Sequence, residues 1–126
     1  MVINLNPGAN KVNTEELQKE TMETMKEYLG NLIPKMEGMV TELRTEVLED
    51  TWEFLRMMVD GFNWVINAYN GCSDVINQGE QKINPEEIDT AISEFGKAFR
   101  DQDAEKTADS MEKDIIPFLK KLQSLI

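Results

Sequence analysis

Five carboxylates crowd one short stretch of the chain: Glu42, Glu46, Glu49, Asp50 and Glu53. On adjacent helical turns, Glu46, Glu49, Asp50 and Glu53 offer the oxygen ligands that suit a hard cation. Helical di-iron sites, however, pair inward glutamates with a Glu-x-x-His motif, and this chain has no histidine. A second run, Asp101-Gln102-Asp103-Ala104-Glu105, has the alternating oxygens of a calcium loop but neither its turn glycine nor its length. Solvated helix ends account for both clusters, so no metal site is expected. Acid pairs alone run glycosidases, but only across a cleft that a small helical protein seldom offers. Cys72, the only cysteine, has no histidine to pair with and falls one heptad after Val65 and two after Met58, the register of a buried, inert thiol. Phosphate-binding glycine loops, nucleophile elbows and zinc motifs are all missing from the sequence. The expectation is a protein with no catalytic residues and no cofactor.

Charge narrows the partners. Against 13 basic side chains stand 24 acidic ones, a formal net charge of -11. Such a surface is repelled by phosphate backbones and anionic membranes, so neither nucleic acid nor a membrane is expected to bind. Solubility explains the excess most simply; a basic protein partner, or mimicry of DNA, is the functional reading of the same charge. No apolar span reaches the ~20 residues that cross a bilayer, and the start of the chain lacks a basic region followed by an apolar run. A cytoplasmic location is expected.

The residues that remain to be explained are apolar, and they are organised by helices. The longest apolar stretch runs from Trp52 to Ile76. Its polar residues, Glu53, Arg56, Asp60, Asn63, Asn67, Asn70 and Asp74, recur every three or four positions and so share one stripe of a helix. The rest of that circumference is apolar, which demands cover on more than one side. Read alone, this segment is the spine of the fold, packed against three other helices. Trp64 falls with Met57, Gly61 and Ala68 on a flank distinct from the one through Leu55, Phe62, Ile66 and Tyr69. That flank is the candidate interface, since a partner helix or a second copy of the chain could cover it. The eight methionines, with Met57 and Met58 adjacent, suit either gap-filling in a core or a surface that re-packs around a partner.

The elements around the spine follow from caps and periodicity. Residues 1–12, with Pro7-Gly8 and three asparagines, read as a flexible arm. Asn13 followed by Thr14, Glu15 and Glu16 predicts a helix start and opens a single domain over residues 13–126. Met22, Met25, Leu29, Leu32, Met36, Val40, Leu43 and Val47 then recur with a mean step near 3.5, a narrow coiled-coil-like seam. Pro34 lies inside that phase with Gly30 four residues before it, which predicts a kink rather than a break. One helix from Thr14 to Asn77 would be roughly 100 Å long, so a turn is placed between Arg44 and Thr51, with Asp50 as a cap. The polar run Asn77–Lys82, with Gly79, ends the spine. Asn84-Pro85-Glu86-Glu87 predicts the next helix, with Asn as cap, Pro at the first position and Glu87 in a capping box. Asp101 or Asp103 caps the last helix, where Pro117 predicts a second kink. The expected fold is all-α: an antiparallel four-helix bundle with two long helices and a shorter C-terminal helical hairpin.

Two segments carry a resemblance. Asp60-Gly61-Phe62-Asn63-Trp64-Val65 resembles an Asp-Gly-apolar-x-Trp-apolar signature. Glu112-Lys113-Asp114-Ile115-Ile116-Pro117-Phe118-Leu119 resembles an acidic stretch running into apolar-Pro-apolar-Leu. Over roughly Glu37 to Ile126 the chain is similar to a family of short, acidic, helical proteins of unknown function from Gram-positive anaerobes. It departs from that pattern in lacking a glycine-containing turn ahead of the spine. The resemblance supplies no catalytic residues; because some members are encoded near motility genes, it implies an accessory or chaperone-like role. The functional expectation is a cytoplasmic protein–protein interaction module, with a homo-oligomeric structural bundle as the alternative.

Overall fold

Helix α1 spans Pro7–Thr45 and α2 spans Thr51–Asn77. They are followed by α3, Pro85–Arg100, α4, Ala104–Ser110, and α5, Ile116–Leu125, with a π-helical turn at Met111–Ile115 between the last two. The structure, a computed structural model, describes residues 7–77 and 83–126, with side chains from residue 15 onward. Backbone angles stay right-handed helical through Ser110, Met111, Ile115 and Ile116, so α4, the π-turn and α5 form one continuous C-terminal helix. The protein is all-α, and no strand occurs among the described residues.

The long helix α1 begins ahead of the expected Asn13 cap. Pro7 is its first described residue, a position that proline's fixed φ favours. Residues 7–12 of the expected arm are therefore helical, and residues 1–6 lie outside the described ones. The helix runs unbroken through Pro34, whose ring is exposed. Open space surrounds Gly30, where an added Cβ would meet nothing within 4 Å.

The turn after α1 occupies residues 46–50, inside the expected interval, and a buried hydroxyl closes it. Thr51 Oγ1 accepts the Leu48 N–H at 2.8 Å and donates to the Glu42 carboxylate at 2.6 Å. The Phe54 N–H bonds back to the Asp50 carbonyl, which starts α2. Val47, counted with the α1 seam by periodicity, falls in this turn and is exposed.

A correction concerns which helix organises the rest. Trp52–Ile76 is not the hub; α1 is. It packs closely along α2, α4, the π-turn and α5, while α3 packs on α4 and the π-turn. Met25, Leu29, Leu32, Met36, Val40 and Leu43 are almost wholly buried, as the seam predicts, and Ile33 and Met39 widen that face. The two ends of α1 are tied to opposite ends of its neighbours. Gln18 donates to the Gly71 carbonyl and the Asp74 carboxylate near the end of α2, whereas Glu42 meets Thr51 at its start. Arg44 reaches Glu105, Asp109 and Glu112 on the C-terminal helix, and Glu37 receives Lys120 further along it. Both partners therefore double back along α1.

Large aromatic rings bridge α2 to the remaining helices. Phe62 and Tyr69 set their edges against Phe118 of α5 at 6.4 and 6.2 Å, and Trp52 meets Phe99 of α3 at 6.2 Å. Rings of this size hold helices together at a wider spacing than aliphatic side chains do. This is why α2 is apolar over so much of its circumference yet lies close to α1 alone.

The caps of the C-terminal half follow the sequence. The Asn84 side chain accepts the Glu86 N–H at 2.9 Å, and Asp103, rather than Asp101, caps α4 through the Lys106 N–H. Asp101 ends α3, and Gln102 takes a positive φ of 51°. Gln102 and Asp103 return their N–H groups to Phe99 and Ala98, the paired bonds of a Schellman turn. The irregularity expected at Pro117 takes the form of the π-turn just before it, where the Ile116 N–H bonds to the Met111 carbonyl. A wider turn there gives the proline ring room against the carbonyl four residues back. The end of the spine, predicted at Asn77–Lys82, lies beyond Asn77 outside the described residues.

Candidate functional site

Some members of the two acidic clusters take structural roles, while Glu46, Glu49, Asp50 and Glu53 stay exposed. Glu42 closes the turn through Thr51. In the Asp101–Glu105 run, Asp103 caps a helix and Glu105 pairs with Arg44 at 3.2 Å. Arg44 bridges Glu105, Asp109 and Glu112, which recur on one face of the C-terminal helix. The hydrogen bond to Asp109, with the nearby charges of Glu112 and Glu105, holds the guanidinium pKa above its ordinary value despite partial desolvation. Cys72 is 2 % exposed, with its thiol directed at the Gln18 carbonyl, and burial with the charge of Asp74 raises its pKa. A thiol held neutral in this way is a poor nucleophile.

What the fold leaves uncovered is one side of α2. Leu55, Phe62, Val65, Cys72 and Ile76 make its buried face. A second apolar stripe runs beside them through Phe54, Met57, Gly61, Trp64, Ala68 and Val75, with Gly71 on the same line. Steps of three and four keep this stripe in register along the helix. Four of its members stay exposed in the finished fold: Phe54 at 51 %, Met57 at 65 %, Trp64 at 41 % and Val75 at 38 %. Isolated exposed apolar residues are ordinary, but four in register along one helix mark an apolar line left open to solvent.

The four residues singled out from the sequence lie on this stripe but differ in cover. Met57 is the most exposed of the large apolar side chains, and Trp64 is nearly half exposed. Gly61 lies under the Tyr28 ring of α1, where an added Cβ would collide with the phenol oxygen. Tyr28 also sets its ring against the Trp64 indole, 5.7 Å between centroids and 74° between planes. Ala68 is partly buried against the core. Tyr28 therefore roofs the middle of the stripe and leaves its two ends open.

Periodicity held a signal for Phe54 and Val75, which continue the 3–4 spacing of Met57, Gly61, Trp64 and Ala68 in both directions. It held none for Tyr28, which arrives from a helix more than thirty residues away in sequence. Val47 and Leu48 are exposed at 43 % and 47 % in the turn just ahead of α2. Helical spacing assigned Val47 to the buried seam of α1 and gave no signal for Leu48.

Three features bear on chemistry at this surface. Its lining is apolar with no titratable nucleophile. Tyr28 and Trp64 supply rigid rings, and Met57 supplies an adaptable thioether. Only Gly71 keeps open space beside it, since Tyr28 fills the space over Gly61 and Ala68 packs on the core. These are the features of a surface that receives side chains of another helix.

No curated protein and no solved structure matches the chain. A family model does, over residues 20–125, a range that takes in most of α1. The match covers every helix described above except the first turns of α1, both motif segments among them, and so the chain belongs to the DUF8042 family, a domain of unknown function.

Proposed function

We propose that this chain is a non-catalytic, cytoplasmic protein–protein interaction module that seats an amphipathic helix of its partner along the outer stripe of α2. The observation that carries the reading is the exposure of Phe54, Met57, Trp64 and Val75, in helical register, on a helix whose other apolar face is already buried. Covering Phe and Met side chains of this kind removes apolar area from water worth ~1.5–3 kcal/mol for each side chain fully buried. The lack of histidine, the commonest general base at neutral pH, supports the non-catalytic part. An accessory or chaperone-like role, as the family resemblance implies, is this same chemistry applied to a helix awaiting its final partner.

A photo-crosslinking amino acid placed at position 57 tests the reading in cells that make the protein, with position 89 on the polar surface of α3 as control. A distinct heterologous adduct from position 57 alone is the expected result. Equal labelling from both positions would overturn it.

The exposure of both Met57 and Trp64 also favours a second reading, in which the stripe packs against its own copy. Light scattering then separates the two: a dimer that Met57→Asp converts to monomer identifies self-association.

A further inference from the structure

The two halves of the α2 stripe sit in opposite electrostatic settings. From Gly61 to Ser73 the helix carries no charged residue, although 29 % of the whole chain is charged. At the other end, Phe54 and Met57 in the first turns of α2, and Val47 and Leu48 in the turn just before it, are exposed at 43–65 %. Glu46, Glu49, Asp50, Glu53 and Asp60 border these residues in sequence, and all five side chains are exposed. Glu53 and Asp60 stand four residues before and three after Met57, so they neighbour it on the helix surface. Arg56, the one base in this stretch, falls about 100° around the helix from Met57 and one turn from both Glu53 and Asp60, with no ion pair to either among the described residues.

None of these five carboxylates takes part in an ion pair. Among the described residues, the ion pairs engage only Arg44 with Glu105, Asp109 and Glu112, and Lys120 with Glu37. The Phe54–Met57 surface thus has Glu53 and Asp60 along one flank and three exposed carboxylates in the turn just before it, none of them in an ion pair among the described residues. A partner that covers this surface brings its own polar face against those carboxylates. If that face were acidic, like charges would meet at short range; a second copy, itself at -11, would bring more of the same.

We infer that the turn-proximal end of this surface, Val47, Leu48, Phe54 and Met57, docks a basic amphipathic helix: apolar on one face, lysine- and arginine-rich on the other. This rests on the proposed docking role of the α2 stripe and adds to it the chemistry of the partner. The apolar face of the guest covers Phe54 and Met57, and its basic flanks pair with Glu53, Asp60 and the carboxylates of the turn. Methionine adapts to varied guest side chains, while the carboxylates select for charge and speed encounter. The surface is accordingly selective for charge pattern and tolerant of apolar detail.

The test is a fluorescent model peptide of about five helical turns, with leucine on one face and lysine on the other. Its controls are a leucine–glutamate peptide of the same pattern and a scrambled leucine–lysine peptide. Anisotropy is expected to give binding of the first in the micromolar range and none of the second, with the scrambled peptide at least about tenfold weaker. Phe54→Ser with Met57→Ser is expected to weaken binding by about tenfold or more. Glu53→Gln with Asp60→Asn is expected to weaken it about threefold and to flatten its dependence on salt. Glu86→Gln with Asp89→Asn, on α3, leaves it unchanged. All substituted side chains are exposed, and thermal melts check that each variant folds.

Equal affinity for wild type and the Phe54/Met57 variant would overturn the inference, since binding would then be charge attraction alone. Binding of the glutamate peptide, or a dimer of the chain itself that shuts out the lysine peptide, would overturn it as well. The broader docking role fails separately, when position 57 gives no adduct in cells. An adduct there with a partner that has no basic helix would keep the docking role and sink this inference.

Discussion

Thr107 has no exposed surface, and its hydroxyl oxygen has no hydrogen-bond partner among the described residues. A buried hydroxyl left unpaired costs ~1–3 kcal/mol relative to one in water or in a bond. Valine has the same shape without the polar atom. Thr107→Val is therefore expected to stabilise the fold by about 1 kcal/mol, seen as a higher urea midpoint at unchanged slope. A loss of stability would mean that the hydroxyl bonds a partner in solution. Cys72 makes the opposite point, because its environment suppresses a reactive group. Burial and Asp74 raise its pKa, so the unfolded thiol ionises first as pH rises. Its contribution to stability is complete below the ordinary thiol range and is lost as pH climbs from that range through the folded value. Iodoacetamide is expected to label Cys72 far more slowly than a free cysteine between pH 7 and about 9, with the rate recovering in urea. Fast labelling in the folded state would show that the α1–α2 contact at Gln18 opens readily.

At the scale of elements, the turn between α1 and α2 hangs on one side chain. Thr51 Oγ1 satisfies the Leu48 N–H and ties it to Glu42, nine residues back along the chain. Thr51→Val keeps the volume and removes both bonds, so a loss of about 1–2 kcal/mol is expected, while Thr51→Ser should lose less. Equal losses in the two would place the effect in packing instead. The α3–α4 turn holds a reserve in the other direction. Gln102 occupies a left-handed conformation that glycine adopts without cost, and Gln102→Gly should raise stability by up to about 1 kcal/mol. No change would mean that the extra chain entropy of glycine in the unfolded state cancels the relief.

These two turns also show what was legible in the sequence. The cap residues Asn84 and Asp103 signal their helices because a cap is a local contract between a side chain and N–H groups two or three residues on. The 3.5-residue seam of α1 was equally readable, since it needs only the chain's own periodicity. The sequence points to the end of α1 through length and a candidate cap at Asp50, whereas the device that ends it, Thr51 with Glu42, joins two elements and leaves no local pattern. The identity of the hub failed for a related reason. A broadly apolar helix looks central, but α2 is broadly apolar partly because aromatic rings span wide gaps to α3 and α5, and partly because one of its stripes stays uncovered. Periodicity counts apolar faces; it does not reveal which of them the chain itself covers. Of the surface picked out on that stripe, Met57 and Trp64 were found as exposed residues, whereas the roofing of Gly61 by Tyr28 was a contact between distant segments.

For the whole molecule the governing quantity is charge imbalance. At -11, self-repulsion favours expansion of the chain, and it acts over the Debye length, ~10 Å at 0.1 M salt. Against it stand ion pairs made by two bases, Arg44 and Lys120, and their acidic partners are largely exposed. Exposed pairs of that kind contribute little and are themselves screened. Arg44 is charged throughout the working pH range, since its raised pKa moves any loss of the bridge still further into alkali. The two effects of salt therefore oppose each other, and the imbalance of 24 acids to 13 bases makes relief of repulsion the larger. Raising sodium chloride from about 10 mM to about 300 mM, which shortens the screening length from ~30 Å to well under 10 Å, is expected to raise Tm. Arg44→Met should lower Tm at both salt concentrations, because it removes the pairing and also deepens the net charge. It should also enlarge the rise in Tm with salt. A Tm that falls as salt is added would mean that the Arg44 network outweighs the repulsion of the whole surface. The uncompensated acids at the start of α2 would then be a poor guide to the partner they receive.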